Sequence, residues 1–340
     1  MKKRLVWPDL LKGILIITVI LGHAISYVMV ENRDNFMSSY LWLLIYSFHM
    51  PAFMAVSGYF AYKKNESTHP TKLYDGIKKR FHQLIIPFVA WSAMLYIVNH
   101  NVTNPVDYIL YPNNSYWFLW ALFFITSIFS IVQYLANKSK LKQDIFIILT
   151  ALILISAQII LPNPKFLGYE YVSYYFIYYS MGYFIHKFNE YIPKKTAVLT
   201  ALLIIWFILG SFWEQKGIPA IIPQCLHSIP MINIFYRILT ATIFIVAMFG
   251  ISFKFGTTVN SNNGSLRKQL LECGQISLGL YTVHKVLIVW LIKGVIAVTP
   301  NFPEYIHIAI VFILLTILSV IIVRQISNWK TLSHWLLGKK

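Results

Sequence analysis

Apolar residues gather into long runs along this chain, and polar residues are confined to short segments between the runs. A transmembrane helix needs about 20 mostly apolar residues. Ten runs approach that length, and we expect each one to form a membrane-spanning helix. Their predicted bounds are 10–30, 39–62, 83–99, 116–136, 144–161, 172–187, 197–213, 233–253, 275–297 and 305–324. The pattern therefore predicts an all-α polytopic membrane protein.

The basic residues between the runs predict the orientation of these helices. Cytoplasmic loops of membrane proteins carry an excess of Lys and Arg. If the N-terminus is inside, most of the 29 Lys and Arg residues fall in cytoplasmic segments, and the outer loops hold only Arg33, Lys165 and Lys216. We therefore expect about ten transmembrane helices with both termini cytoplasmic.

The composition excludes an ordinary soluble domain. Hydrophobic residues make up 57% of the chain and charged residues only 12%, whereas soluble domains carry about 25% charged residues. The net charge of +17 would suit nucleic acid on a soluble surface, but here the basic residues flank membrane helices. We expect the lipid bilayer and no nucleic acid as a partner. The longest loops, 63–82 and 254–274, leave no room for a soluble domain, so residues 1–340 are predicted to form one membrane-embedded domain.

The first run contains ionisable residues, which are costly at membrane depth and usually functional. Lys12 and His23 are eleven residues apart, which is about 16 Å along a helix and only about 20° of rotation. Both side chains therefore share one helix face. Asp9 lies three residues before Lys12 and can pair with it. Lys12 alone could also be a lysine that extends to the membrane interface, whereas His23 is too deep for that.

Two further histidines are predicted to lie near the same depth. His49 is about ten residues into the second run, and Pro51 favours a kink just after it. Ser57-Gly58 would let another backbone or a substrate approach closely. His284 is about ten residues into the ninth run, within SLGLYTVHK. We expect the three histidines to line one polar cavity; alternatively, His49 only bonds to a neighbour in a kinked helix.

The histidines allow more than one kind of chemistry. Three histidines can bind zinc, but no HxxxH or HxxE spacing supports a metal site, and none is expected. Proton relay in a transporter is a second possibility, since histidine titrates near neutral pH.

Polar and aromatic groups nearer the membrane surfaces are also candidates for binding. The stretch KKRFHQLIIP, residues 78–87, places Lys78, Lys79 and Arg80 before the third run, where they could bind phosphates of an anionic cytosolic ligand or only set topology. Trp117 and Trp120 begin the fourth run, either as an interfacial belt or as a platform for a sugar ring. Arg237, in the outer part of the eighth run, is a further candidate for a buried cation, and its role is open.

The motifs occur in a particular order along the chain: Asp9, Lys12-Gly13 and Gly22-His23, then FHMPAF and SGY, then KKR, then SLGLYTVH. This ordered set resembles the acyltransferase-3 family of integral-membrane acyltransferases, and within it the fucose 4-O-acetylase-like branch. The resemblance covers essentially the whole chain.

The resemblance implies transfer of an acyl group, commonly acetyl from cytosolic acetyl-CoA, to a hydroxyl of a surface polysaccharide or lipid-linked glycan. It implies that His23 is the essential histidine, with Lys12 and Asp9 as its motif partners, and that Lys78, Lys79 and Arg80 contact the acyl-CoA. The predicted substrate-binding residues are His49, Ser57, Trp117, Trp120, Arg237, Tyr281 and His284. The expected location is the cell membrane.

The chemistry of imidazole agrees with this expectation. O-acylation needs either a base that deprotonates a hydroxyl or a nucleophile that carries the acyl group, and a neutral imidazole can act as either. A secondary transporter of a sugar or other solute, with the histidines as a proton relay, is the alternative. A flippase or assembly component without chemistry is the third possibility.

Overall fold

The computed structural model describes residues 5–62, 70–98, 104–139, 142–215, 217–228, 231–255 and 264–339. Within these ranges all regular elements are helices, as expected for a chain whose backbone groups must bond to each other inside a bilayer. The all-α prediction is therefore confirmed. Eight of the basic residues on which the prediction of orientation depends lie outside the described ranges: Lys2, Lys3, Arg4, Lys63, Lys64, Lys140, Lys216 and Lys340.

Fifteen α-helices are assigned in the described ranges. They are α1 (Trp7–Glu31), α2 (Tyr40–Tyr46), α3 (His49–Tyr59), α4 (Pro70–Arg80), α5 (Ile86–Val98), α6 (Asp107–Leu110), α7 (Trp117–Ser139), α8 (Gln143–Ile160), α9 (Tyr169–Lys187), α10 (Thr196–Ser211), α11 (Ile232–Phe255), α12 (Ser265–Gln275), α13 (Ser277–Val298), α14 (Glu304–Asn328) and α15 (Lys330–Leu337). A π-helical turn, Phe81–Ile85, joins α4 to α5.

Eight helical segments in the described ranges are long and apolar enough to cross a membrane. They are α1, the α2–α3 pair, the continuous helix Pro70–Val98, α7, α8, α11, α13 and α14. The two remaining predicted spans also form helices. However, α9 is rich in tyrosine, and α10 has only 16 residues. The count of ten and the cytoplasmic termini stay predictions.

The two long connections between predicted spans, 63–82 and 254–274, include short helices, and their residues 63–69 and 256–263 lie outside the described ranges. They contain helix α4 and most of helix α12, and helix α15 follows the last predicted span. Helices α4 and α12 are short and polar, so a search for apolar runs does not detect them. Pro70 stands at the first helical position, where a proline is tolerated because its missing N–H would have no helical partner.

The second predicted span is broken into α2 and α3. The amide of Phe48 bonds to the carbonyl of Ile45, which tightens the chain between the two helices. Pro51 has no N–H to offer the carbonyl one turn before it, so the helix is weakened at this place. The break places His49 at the first position of α3.

The chain packs as two compact units, each built from separate stretches of sequence. The first contains Met1–Val56 and Phe188–Val320, and the second contains Ser57–Lys187 and Ile321–Lys340. The expectation of a single domain over residues 1–340 stays a prediction.

Helices α1 and α12 of the first unit touch through their backbones. A Cβ atom at Gly13 would overlap the carbonyl of Leu270, and one at Gly274 would overlap the carbonyl of Asp9. Glycine at both positions therefore permits an approach that side chains would prevent. This contact fixes the first half of the helix that carries His23.

The second unit is held together by close packing and polar contacts. Gly58 of α3 lies against the carbonyl of Tyr179 in α9, where a Cβ atom would overlap it. Of the two possibilities predicted for Ser57-Gly58, the close approach of another backbone is thus observed at Gly58, and substrate binding by Ser57 stays a prediction. Lys187 pairs with Asp144 at 2.6 Å, which joins α9 to α8.

Candidate functional site

Two of the predicted histidines form a hydrogen-bonded pair in the first unit. Nδ1 of His23 in α1 lies 2.7 Å from Nε2 of His284 in α13. The ring centroids are 4.9 Å apart with 25° between the ring planes. His284 is fully buried, whereas His23 is only partly buried. His23 therefore points at a polar partner on a neighbouring helix rather than at lipid.

The hydrogen bonds of the pair define which ring nitrogens carry protons. Nδ1 of His284 lies 2.7 Å from the carbonyl oxygen of Leu280, one turn earlier in α13. A carbonyl oxygen only accepts, so Nδ1 of His284 donates and its Nε2 in the neutral ring is an acceptor. His23 must then donate from Nδ1, which leaves the lone pair of the neutral ring on Nε2.

The remaining nitrogen of His23 has the form required of a base. Within the described part of the chain, Nε2 of His23 makes no hydrogen bond. The imidazole of His23 is thus oriented by the hydrogen bond from its Nδ1 to His284, and the lone pair on its Nε2 is available. This is the arrangement of a general base that is held by a second group.

His49 is also held by its own helix backbone. Its Nδ1 donates to the carbonyl oxygen of Ile45 at 2.7 Å, across the break between α2 and α3. The ring is 3% exposed, and it meets the ring of Tyr46 edge-on at 4.6 Å. His49 therefore bonds to a neighbour in a broken helix, as one of the two predictions has it, while a shared cavity of the three histidines stays a prediction.

Tyr46 is a neighbour of the site that the sequence did not indicate. Its ring stacks on Trp42 at 3.8 Å and meets His49 edge-on at 4.6 Å. A Cβ atom at Gly22 would lie 3.0 Å from Cε2 of Tyr46. Because Gly22 has no side chain, the ring of Tyr46 can lie against α1 next to the position of His23. No signal in the sequence separates Tyr46 from the many other tyrosines at membrane helix ends.

Lys285 brings a cation to the same site. It follows His284 in α13, is partly buried, and lies within electrostatic reach of both His23 and His284. Tyr281, predicted to bind substrate, is buried on the same helix with its ring centroid 6.1 Å from that of His284. Lys285 is not among the site residues that were predicted from the sequence.

Arg237, another predicted binding residue, lies in the same unit. Its guanidinium carbon is 5.3 Å from the ring centre of Trp213, within the range of a cation–π contact. Trp213 in turn packs with Ile25 of α1 and Trp42 of α2. Arg237 is thus attached to an apolar cluster that includes Tyr46.

The two other motif residues of α1, Lys12 and Asp9, lie about three and about four turns before His23. Asp9 is buried, and its carbonyl packs against Gly274. Lys12 is partly buried. The structure therefore keeps Asp9 at the junction of α1 and α12 rather than beside the imidazole pair.

The basic residues of the predicted acyl-CoA site lie in the second unit and differ from each other. Lys78 and Lys79 are exposed on α4. Arg80 is partly buried, and its Nη1 donates to the carbonyl of Thr126 at 2.7 Å and to Oγ of Ser130 at 3.1 Å. Arg80 thus anchors α4 to α7, while the two lysines face outward.

The aromatic candidates and Ser57 also belong to the second unit. Trp117 stacks on Tyr171 at 4.5 Å and on Tyr175 at 5.0 Å. Nε1 of Trp120 donates to the carbonyl of Leu167 at 2.8 Å. Trp117 therefore forms part of a stacked aromatic group, and Trp120 ties α7 to the turn before α9.

No group of three or more His, Cys, Asp or Glu residues that could hold a metal ion occurs in the described ranges. The chemistry that the site offers is proton transfer or nucleophilic attack by an imidazole, next to a cation.

Comparisons with known proteins agree with this chemistry. A family model described as an acyltransferase domain matches residues 5–324. Nodulation protein NolL of Sinorhizobium fredii is 35% identical over 140 residues, which cover 38% of this chain and 37% of that protein. Nodulation protein NolL of Mesorhizobium japonicum is 31% identical over 175 residues, 49% of this chain and 45% of that protein.

The chain thus matches less than half the length of these two relatives. No solved structure is significantly similar. The family model, in contrast, covers nearly the whole chain, including every predicted site residue. The chain therefore belongs to the acyltransferase-3 family.

Proposed function

We propose that this protein moves an acetyl group from cytosolic acetyl-CoA to a hydroxyl of a cell-surface glycan or lipid-linked sugar, in the cell membrane. The observation that carries the proposal is the hydrogen bond between His23 and His284, which leaves the lone pair of His23 on Nε2. A polar pair of this kind at membrane depth needs a function, and O-acylation needs a base of this type.

The steps of the proposed reaction use His23 twice. Nε2 of His23 takes the proton of the acceptor hydroxyl as the hydroxyl oxygen attacks the thioester carbonyl. A tetrahedral intermediate forms, the C–S bond breaks, and the CoA sulfur leaves with the bonding electron pair. Nε2 then returns its proton to that sulfur. His284 holds the ring in the correct tautomer and accepts a hydrogen bond from Nδ1 throughout.

The donor is assigned to the basic segment of the second unit. Coenzyme A carries several phosphate charges, and exposed Lys78 and Lys79 offer charge-assisted hydrogen bonds to phosphate oxygens. Arg80 contributes by holding α4 against α7. In this proposal Arg80 is a positioning residue, and the two lysines bind the donor.

We assign binding of the acetyl acceptor to Trp117 and Arg237, which are not part of the histidine pair. Trp117, stacked with Tyr171 and Tyr175, offers the kind of aromatic surface on which sugar rings stack. Arg237 would pair with an acidic group of a glycan or with the phosphate of a lipid-linked sugar. Neither assignment affects the identity of the base.

The test uses membranes that contain the wild-type protein or the His23→Ala variant, supplied with acetyl-CoA labelled in the acetyl group. We expect label in the surface glycan with the wild-type protein and a loss of at least about 100-fold in His23→Ala. His227→Ala is the matched control, because His227 lies in an exposed loop of the same unit. Equal labelling by wild type and His23→Ala at equal protein level would reject His23 as the base.

A transporter would give a different pattern in the same experiment. It would transfer no label from acetyl-CoA to glycan with any variant, yet His23→Ala would impair uptake of its solute into vesicles. Absence of labelled glycan with the wild-type protein therefore rejects the enzyme itself and not only the role of His23.

A further inference from the structure

Lys285 is a charged residue inside a candidate membrane span, where charges are costly and usually functional. It is the ninth residue of α13, a 22-residue candidate span, so its Cα lies about 12 Å from the start of the helix. A lysine side chain near a helix end extends to the interface, but from this depth the interface is out of reach. Lys293, nearer the other end of the same helix, is exposed.

Lys285 directly follows His284 in α13, so its Cα lies about 3.8 Å from the Cα of that buried histidine. His284, one residue earlier, bonds to His23 at 2.7 Å, and the charge of Lys285 acts on both rings. All three residues belong to the first unit. Lys285 therefore lies next to the histidine pair and not at the membrane surface.

The proposed reaction creates negative charge that the imidazoles cannot stabilise by themselves. When the hydroxyl oxygen adds to the thioester, the carbonyl electron pair moves onto oxygen, while the proton goes to Nε2 of His23. The imidazole pair is then engaged with the proton. A separate hydrogen-bond donor is required for the oxyanion, and a fixed positive donor at low dielectric is the most effective kind.

We propose that the ammonium of Lys285 is a catalytic group that hydrogen-bonds to the oxyanion of the tetrahedral intermediate. This inference rests on the proposed function above. The oxyanion forms while the new C–O bond forms, and its electron pair returns to the carbon as the C–S bond breaks. Lys285 keeps its proton throughout, so the proton balance between hydroxyl, His23 and sulfur is unchanged.

The experiment compares Lys285→Met, Lys285→Arg and the control Lys293→Met in purified protein. We expect kcat of Lys285→Met to fall by about 10²- to 10³-fold, with the KM for acetyl-CoA changed by less than about threefold. Lys285→Arg, which keeps a positive donor, should retain at least about tenfold more activity than Lys285→Met. Binding of free coenzyme A, which has the phosphates but no acyl carbonyl, should be unchanged in all three.

Three outcomes would overturn the inference. Weaker binding of free coenzyme A to Lys285→Met, with kcat preserved at saturating donor, would make Lys285 a phosphate-binding residue. Equal kcat for Lys285→Met and Lys293→Met would make both lysines membrane anchors. A wild-type protein that transfers no acetyl group would remove the proposed function and this inference together. If Lys285→Met does not accumulate, Lys285→Gln, which is polar but uncharged, gives the same comparison.

Discussion

His23 and His284 are 261 positions apart in the sequence, yet Nδ1 of the first and Nε2 of the second lie 2.7 Å apart. The bond joins α1 to α13, and the carbonyl of Leu280 determines its direction by accepting from Nδ1 of His284. In a serine hydrolase triad the second group behind the histidine is a carboxylate. Here it is a neutral imidazole, which orients His23 without adding a negative charge to the membrane interior.

Replacing His284 should reduce turnover without weakening donor binding. His284→Phe removes the acceptor for Nδ1 of His23, so the ring loses its fixed tautomer and orientation, and we expect kcat to fall by about 100-fold. His284→Gln keeps an amide oxygen that can accept the same bond, and its loss should be smaller. The measurement is acetyl transfer at saturating donor, with KM for acetyl-CoA determined separately.

The comparison is valid only for folded protein, so the unfolding temperature of each variant in detergent is measured alongside. A KM for acetyl-CoA that rises tenfold in His284→Phe while kcat stays constant would contradict a positioning role. It would indicate instead that His284 contacts the donor.

The contact between α1 and α12 should be intolerant of even one methyl group. A Cβ atom at Gly274 would overlap the backbone carbonyl of Asp9, and backbone atoms cannot move aside as a side chain could. We expect Gly274→Ala to lower the free energy of unfolding by about 1–3 kcal/mol. Because α1 carries His23, acetyl transfer should fall as well. Thermal unfolding in detergent is the measurement.

Gly76→Ala is the control for this substitution. Gly76 lies inside α4 with no atom within 4 Å of an added Cβ, and alanine is the better helix former by up to about 1 kcal/mol. Its unfolding temperature should stay the same or rise. Equal unfolding temperatures for wild type and Gly274→Ala would show that the two helices separate easily.

The sequence predicts the helical architecture well because apolar length and basic loops are properties of single segments. All ten predicted spans correspond to helices. Helices α4, α12 and α15 escape this reasoning because their sequences are polar or short. The break between α2 and α3 is predicted only in part: Pro51 marks the weak point, but the tight turn before His49 depends on local packing.

The candidate site shows the limit of sequence patterns more clearly. Equal depth in the membrane suggests that His23, His49 and His284 can meet, but depth does not determine the rotation of each helix. Which nitrogen bonds to which partner follows from the packing of α1 against α13. Tyr46 lies at the site because Gly22 leaves room for its ring. This contact cannot be predicted from the sequence of either segment alone.

Arg80 and Lys79 should differ in effect although they are adjacent. Arg80 donates to Thr126 and Ser130 of α7, and hydrogen bonds of a charged group contribute about 1.5–3 kcal/mol. Arg80→Ala should therefore lower the unfolding temperature, whereas Lys79→Ala should leave it unchanged and raise the KM for acetyl-CoA. Unfolding curves and initial rates over a range of donor concentrations separate the two effects. Identical unfolding temperatures for both variants would argue against an anchoring role for Arg80.

Whether α9 and α10 both cross the membrane can be decided at Asn189, an exposed residue between them. If both helices cross, as the basic residues around 187–195 favour, residue 189 is cytoplasmic; if neither crosses, it is outside. Asn163, also exposed, is outside in both arrangements.

We introduce Asn163→Cys or Asn189→Cys after replacing the exposed Cys225 by Ser, and label intact cells with a membrane-impermeant maleimide. We expect label at residue 163 in intact cells and at residue 189 only after permeabilisation. Labelling of residue 189 in intact cells would reduce the number of spans to eight, since α9 and α10 would then lie on the outer side.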